Sequence, residues 1–298
     1  MKEIGRLLTA MITPFDKNGN IDYLQAKKLA TALINSGSDG LVIGGTTGEA
    51  PSMSDEEKIK LFKVIVEEIG DKGSVIAGTT DNNHRKSIEL SQEAEKVGVD
   101  CLLLTVPAYN KPQQNGLFHH FKEIAKSTKL PCLLYNVPSR TSLNMTIETT
   151  LKLAQIENII GIKEASSDIY QITEIINNSP EHFKVWSGND DETFEIMSLG
   201  GFGIVSVASN IIGIQIKKMI ELILAENLNE ASNEHKSMLP IFKALFWETN
   251  PVPIKYAVNK SGFKVGGTRL PMYHPSQEFK EKFDPIFEQY KIDLINSN

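Results

Sequence analysis

Eight short apolar runs recur along the chain: "LLTAMI" at 7–12, "GLVIGG" at 40–45, "SVIAGT" at 74–79 and "CLLLTV" at 101–106, then "CLLYNV" at 132–137, "IIGIKEA" at 159–165, "FKVWSGN" at 183–189 and "GIVSVAS" at 203–209. Most are rich in β-branched residues or leucine and too continuous for half-exposed antiparallel strands, so they predict strands buried on both faces. Between them the apolar positions shift to a helical period. Segments 22–37, 54–70, 84–98, 117–128, 146–155, 168–178, 190–201 and 214–228 each read as an amphipathic helix. The first opens after Asp22 and closes on Gly37, and the second carries Ser54 followed by Glu57 at capping-box spacing.

Strand starts come about every 20–34 residues, and eight β-then-α units imply a parallel sheet. Eight is the number that closes a (β/α)8 TIM barrel. A doubly wound open sheet is the alternative; no G-x-G-x-x-G fingerprint opens the first unit to support it. The division expected is a catalytic barrel over 1–225 and a C-terminal helical appendage over 226–298, where segments 229–250, 252–262 and 276–291 read as helices. No low-complexity linker separates them.

With 298 residues the chain can bury one large core, and its 41% hydrophobic and 23% charged content is that of a globular protein. A net charge of −6 and the lack of basic runs argue against a nucleic-acid surface. No apolar stretch approaches the roughly 18 residues of a membrane helix, and no signal-peptide pattern opens the chain, so a cytoplasmic location is expected. Cys101 and Cys132 begin apolar runs and read as buried strand residues rather than a disulfide. The histidines are scattered without zinc spacing, so no metal is expected.

Lys163 closes the run "NIIGIKEAS". A buried ammonium is costly unless paired or neutralised, so the position is a strand end reaching water or a site for chemistry. Barrel active sites sit at the C-terminal ends of strands, where Lys163, Tyr135 and the loop "GGTTGEAPS" all fall. A desolvated lysine is a neutral nucleophile toward a ketone, and Tyr135 on the adjacent strand is placed to shuttle protons, or else is an amphipathic strand end. The loop lacks the G-K-[ST] ending of a nucleotide loop. It can turn backbone N–H groups and the Thr46 and Thr47 hydroxyls toward a small carboxylate, or serve as an ordinary turn. Arg140, in "NVPSRT", offers a bidentate carboxylate clamp or a surface ion pair. Asp190 and Asp191 suggest a metal pair but are also natural first-turn residues for the helix after them, which is the preferred explanation.

In these motifs, and in "PAYNKPQQNGLFHHF", "WSGNDDETF", "GGFGIVSVASN", "NPVPIKYA" and "TRLPM", the sequence resembles the pyruvate-dependent class I aldolase-like lyases whose type member is dihydrodipicolinate synthase. The likeness covers nearly the whole chain, in order. It implies a lyase in which Lys163 forms an imine with pyruvate, with no other cofactor. Tyr135 would be the acid/base, and Thr46 would link it to Tyr109, which in the family enters from a neighbouring subunit. Thr47 would hold the pyruvate carboxylate, Arg140 would receive aspartate-β-semialdehyde, and Gly188 and Val205 would line the pocket. It further implies lysine and diaminopimelate biosynthesis and a homotetramer built as a dimer of dimers. The arginine in "SRT" matches the synthase branch; sugar-acid aldolases and N-acetylneuraminate lyase, or a silent keto-acid-binding barrel, are the alternatives.

The sequence departs from the family in two ways. The usual "PYYN" reads "PAYN", which puts Ala108 where an aromatic anchors the dimer interface. Around the family's lysine-inhibitor position it retains Asn82 but carries Ala108, Lys86, Asp55 and Lys58. A lysine in place of a glutamate repels the inhibitor's ammonium, so feedback by lysine is expected to be weak or absent.

Overall fold

A computed structural model describes residues 2–294. Its strands are β1 (Leu7–Ala10), β2 (Gly40–Ile43), β3 (Ser74–Gly78), β4 (Cys101–Thr105), β5 (Cys132–Asn136), β6 (Ile159–Glu164), β7 (Lys184–Ser187) and β8 (Gly203–Ser206). Each pairs in parallel with the next and β8 pairs with β1, so the eight apolar runs close into one barrel. Alternate residues face inward. Leu8, Val42, Ile76, Cys101, Leu103, Leu133, Trp186 and Val205 fill the interior, while their neighbours join a larger core between barrel and helices. This double burial is why the runs read as continuous rather than alternating. Gly161 is required by that packing: a Cβ there would stand 2.7 Å from the Trp186 ring. The indole fills that space and donates from Nε1 to the Gly5 carbonyl at 2.9 Å.

The helices are α1 (Tyr23–Asn35), α2 (Asp55–Ile69), α3 (His84–Lys96), α4 (Gln114–Lys126), α5 (Pro138–Thr141), α6 (Ile147–Leu153), α7 (Ile169–Asn178), α8 (Thr193–Ser198), α9 (Ser209–Leu224), α10 (Leu228–Ala244), α11 (Val252–Lys260) and α12 (Gln277–Phe287). Asp22 caps α1, and Ser54 and Glu57 cap α2 reciprocally, at 3.2 and 3.0 Å. The short helix α5, which carries Arg140, has no sequence signal; four residues are too few to show a period. Helix α9 is broken at Ile212, whose φ/ψ of −133/42 are not helical. The Asp293 carboxylate accepts from Gly213 N–H at 3.0 Å and Ile214 N–H at 2.8 Å, and so caps the half-helix beyond the break.

The last three helices share the barrel's outer core. Phe242, Ile254, Phe279, Phe283 and Phe287 belong to the same buried cluster as the strands. In α12 the i, i+4 spacing of its phenylalanines stacks Phe279 on Phe283 and sets Phe287 tilted beyond it, with centroids 5.0 and 5.8 Å apart. Among the described residues no helix is long and apolar enough to cross a membrane. Cys101 and Cys132 are free and buried, and burial raises both thiol pKa values, that of Cys132 to about 12.

Asp190 does not serve its own helix. Residues 190–192 form a 3-10 turn without a side-chain cap. The fully buried Asp190 carboxylate accepts instead from Ser206 Oγ and, at 3.1 Å each, from the Val207 and Ala208 N–H groups that lead into α9. Asp190 and Asp191 do stand in the first turn, as expected, but the Asp190 carboxylate caps the next unit's unsatisfied N–H groups instead of its own.

Candidate active site

Tyr135 and Lys163 are register partners at the C-terminal ends of β5 and β6. The parallel pleat sends both side chains inward, at the level where the apolar interior gives way to a pocket. The Lys163 Nζ lies 4.2 Å from the centre of the Tyr135 ring, and both side chains are buried. Burial lowers the lysine pKa to about 7. The Asp190 charge opposes that shift and Arg140 adds to it. Burial also pushes the tyrosine pKa up to about 12, against the pull of Arg140. At neutral pH the amine is therefore partly free to attack a carbonyl and the phenol is in its acid form.

The strand ends are held by a buried polar network that the apolar pattern hides. Asn136 Nδ2 donates to the Glu164 carboxylate at 3.1 and 3.2 Å and to Asn144 at 2.7 Å, and Gln171 Nε2 donates to Glu164 at 3.2 Å. Asn136 and Glu164 follow Tyr135 and Lys163 on their strands and are themselves register partners, so the network fixes the pair's register from behind. Its only sequence signal is a polar residue next to each of the pair in an apolar run.

The pocket has a volume of about 510 Å³, and Thr46, Thr47, Arg140 and Gly188 line it with Tyr135 and Lys163. Gly44, at φ +65, turns the loop after β2 into the mouth, which a side chain at that φ would strain. Gly188 lets the end of β7 approach β6: its N–H donates to the Glu164 carbonyl at 2.7 Å, and a Cβ would come within 2.6 Å of Ala165. Thr47 Oγ1 accepts from Asn250 Nδ2 at 2.9 Å. Arg140 Nη2 donates to the Asn250 carbonyl at 3.4 Å. Asn250 belongs to the segment 246–250, which walls the pocket from beyond α10. Sequence reasoning missed this wall because no local pattern ties residue 250 to a loop at 47.

Two expected site residues lie elsewhere. Val205 is fully buried beside Leu8, its register partner, inside the barrel, and does not line the pocket. The residue at the mouth is Val207, two positions nearer the C-terminal end of β8 than Val205 and just past the strand. Tyr109 lies outside its own chain's pocket and is 92% exposed, at φ +73, a conformation rare for a large side chain.

The loop that carries Thr46 and Thr47 is anchored by a buried ion pair and a half-buried one beside it. Lys255 Nζ is 2.6 Å from Glu49 Oε1, with each side chain 3% exposed, and burial brings the lysine pKa down to about 8. Arg269 makes a bidentate pair with Glu57 at 2.6 and 2.9 Å, and its N–H donates to Glu49 at 2.9 Å. The Lys255 and Arg269 cations lie 4.0 and 4.4 Å from the ring centre of Phe15.

A second cavity, of about 910 Å³, opens behind that loop and is lined by Asn82, Lys86, Ala108, Asp55 and Lys58. Asn82 Oδ1 accepts from Ala108 N–H at 3.0 Å, and Lys58 is 3.4 Å from Asp55.

A closed parallel barrel with a near-neutral amine and a protonated phenol side by side at its C-terminal mouth belongs to the class of (β/α)8 lyases suited to carbonyl chemistry through a lysine. The model of the dihydrodipicolinate synthetase family matches residues 3–290, and the chain belongs to that family. It is 51% identical to the 4-hydroxy-tetrahydrodipicolinate synthase of Dehalococcoides mccartyi over 99% of each chain. It is 49% identical to that of Moorella thermoacetica, over 93% of this chain and 95% of the other. Among solved structures it is similar to a dihydrodipicolinate synthase of Bacillus anthracis, with a TM-score of 0.95 and 41% identity over 98% of this chain and 100% of that one. It is also similar to the Cyanidioschyzon merolae enzyme with lysine bound, with a TM-score of 0.94 and 40% identity over 96% and 97% of the two chains.

Proposed function

We propose that the chain condenses pyruvate with L-aspartate-4-semialdehyde, the reaction of 4-hydroxy-tetrahydrodipicolinate synthase in lysine and diaminopimelate biosynthesis, and does so in the cytoplasm. The observation that carries this reading is the buried, register-paired Lys163 and Tyr135, with the lysine pKa lowered to about 7. Near-full-length relatives at about half identity support the choice of substrates.

The neutral Lys163 amine attacks the C2 carbonyl of pyruvate. Tyr135 delivers a proton to the carbinolamine oxygen, and water leaves to give the imine. Loss of a methyl proton gives the enamine, whose carbon attacks the aldehyde carbon of the semialdehyde. The semialdehyde's own amine then adds to the imine carbon, closes the ring and expels Lys163. Thr47, backed by Asn250, holds the pyruvate carboxylate, Arg140 receives the semialdehyde, Thr46 connects Tyr135 to Tyr109 of a neighbouring subunit, and Gly188 gives the substrates room. The scheme requires no metal and no cofactor beyond the covalent imine. The exposure of Tyr109, and of Ile169, Tyr170 and Leu199 on another part of the surface, supports a homotetramer assembled as a dimer of dimers.

The test is borohydride reduction in the presence of pyruvate with peptide mass analysis, followed by an assay of which aldehyde is consumed. A pyruvate adduct on Lys163 and consumption of aspartate semialdehyde are expected. An adduct with consumption of a sugar-acid aldehyde would transfer the chain to the aldolase branch. An unmodified protein beside a labelled control enzyme would make it a silent barrel.

A further inference from the structure

Among the residues lining the pocket above Lys163, Arg140 and Lys163 are basic and a single residue, Glu248, is a carboxylate. Glu248 lies in the wall segment between α10 and α11. Its Oε1 accepts from Ser276 N–H at 3.1 Å, and among the described residues Oε2 has no hydrogen bond and the side chain no ion pair. Arg140 reaches the same segment two residues further on, at the Asn250 carbonyl. Arg140 and Glu248 thus border one stretch of the mouth, and no hydrogen bond or ion pair joins them. A substrate that brings both an anion and a cation satisfies both, whereas an aldehyde bearing only hydroxyls leaves the carboxylate without its counter-ion.

We propose that Glu248 is a specificity determinant that receives the ammonium of the aldehyde substrate while Arg140 holds its α-carboxylate, so that the mouth selects aldehydes with an α-amino-acid head group. This rests on reading the site as an imine-forming synthase. Without Glu248 the charged residues that line the pocket offer an incoming ammonium only like charge, from Arg140 and from Lys163 whenever it is protonated. Ion pairing to Glu248 also sets the substrate nitrogen at the mouth, on the side from which it must later close the ring.

Glu248→Gln tests the assignment, because glutamine keeps a carbonyl oxygen for Ser276 N–H and removes only the charge. With saturating pyruvate, kcat/KM for aspartate semialdehyde should fall about 10- to 100-fold. The inhibition constant of succinate semialdehyde, the analogue without the amine, should move by less than about twofold. Glu248→Asp should recover part of the loss, and trapping of pyruvate on Lys163 should match the wild type in both variants. An equal loss toward both aldehydes would make Glu248 merely a support for the turn at Ser276 and overturn the assignment, as would unchanged kinetics. A wild-type enzyme that traps pyruvate but never consumes aspartate semialdehyde would instead remove the synthase reading, and the ammonium assignment with it.

Discussion

Lys163 holds a conflict between stability and chemistry. Its pKa is lowered from 10.5 to about 7, so between those values the unfolded chain binds more protons than the folded one. Stability from this group therefore rises with pH across that window, and its cost is fully present below about pH 7. Lys163→Met should abolish imine trapping and turnover yet stabilise the fold at pH 7 by about 1–3 kcal/mol, with the gain shrinking toward pH 10 in urea titrations. In the wild type, the rate of borohydride trapping should climb through about pH 7 and then level, as the free-amine fraction saturates. Tyr135→Phe removes the proton donor and leaves the packing, so kcat should fall about 100-fold with little change in KM for pyruvate. These two residues were legible in the sequence because each is a polar group ending an apolar run. Val207 was not, since the apolar run 203–209 contains both valines and does not show which of them reaches the mouth.

The elements that shape the mouth are tied together over long separations. Glu49, in the loop after β2, depends on Lys255 of α11, and Glu57 of α2 depends on Arg269. Lys255→Met leaves the Glu49 carboxylate buried without its cation and should cost about 3–5 kcal/mol in denaturant titrations. Adding Glu49→Gln should restore much of that loss, because the stranded charge is then gone. Such pairs have no periodicity or spacing, so sequence reading could place α2 and α11 but not the loop residue each one holds. The strands and most helices could be read because double burial and capping leave local marks, as at Ser54 and Glu57. Asp190 shows where local reading fails: its first-turn position was legible, but the partners that use it come from β8 and the start of α9.

At the scale of the assembly, the proposed tetramer makes activity depend on protein concentration, because Tyr109 is outside its own pocket. Dilution that dissociates the dimer, followed by sedimentation velocity, should lower specific activity in step with the dimer fraction. Tyr109→Phe should lower kcat without that dependence changing. The second cavity carries Lys58 and Lys86, so L-lysine should inhibit weakly or not at all in steady-state assays, and Lys86→Glu should increase its affinity. Asp293 has a consequence for the order of synthesis. It caps the broken helix α9 from 80 positions downstream. A nascent chain can align all eight strands, yet the helix after the closing strand stays uncapped until residue 293 has been made. Emergence of residue 293, rather than of the barrel strands, is then the moment at which this helix can become complete.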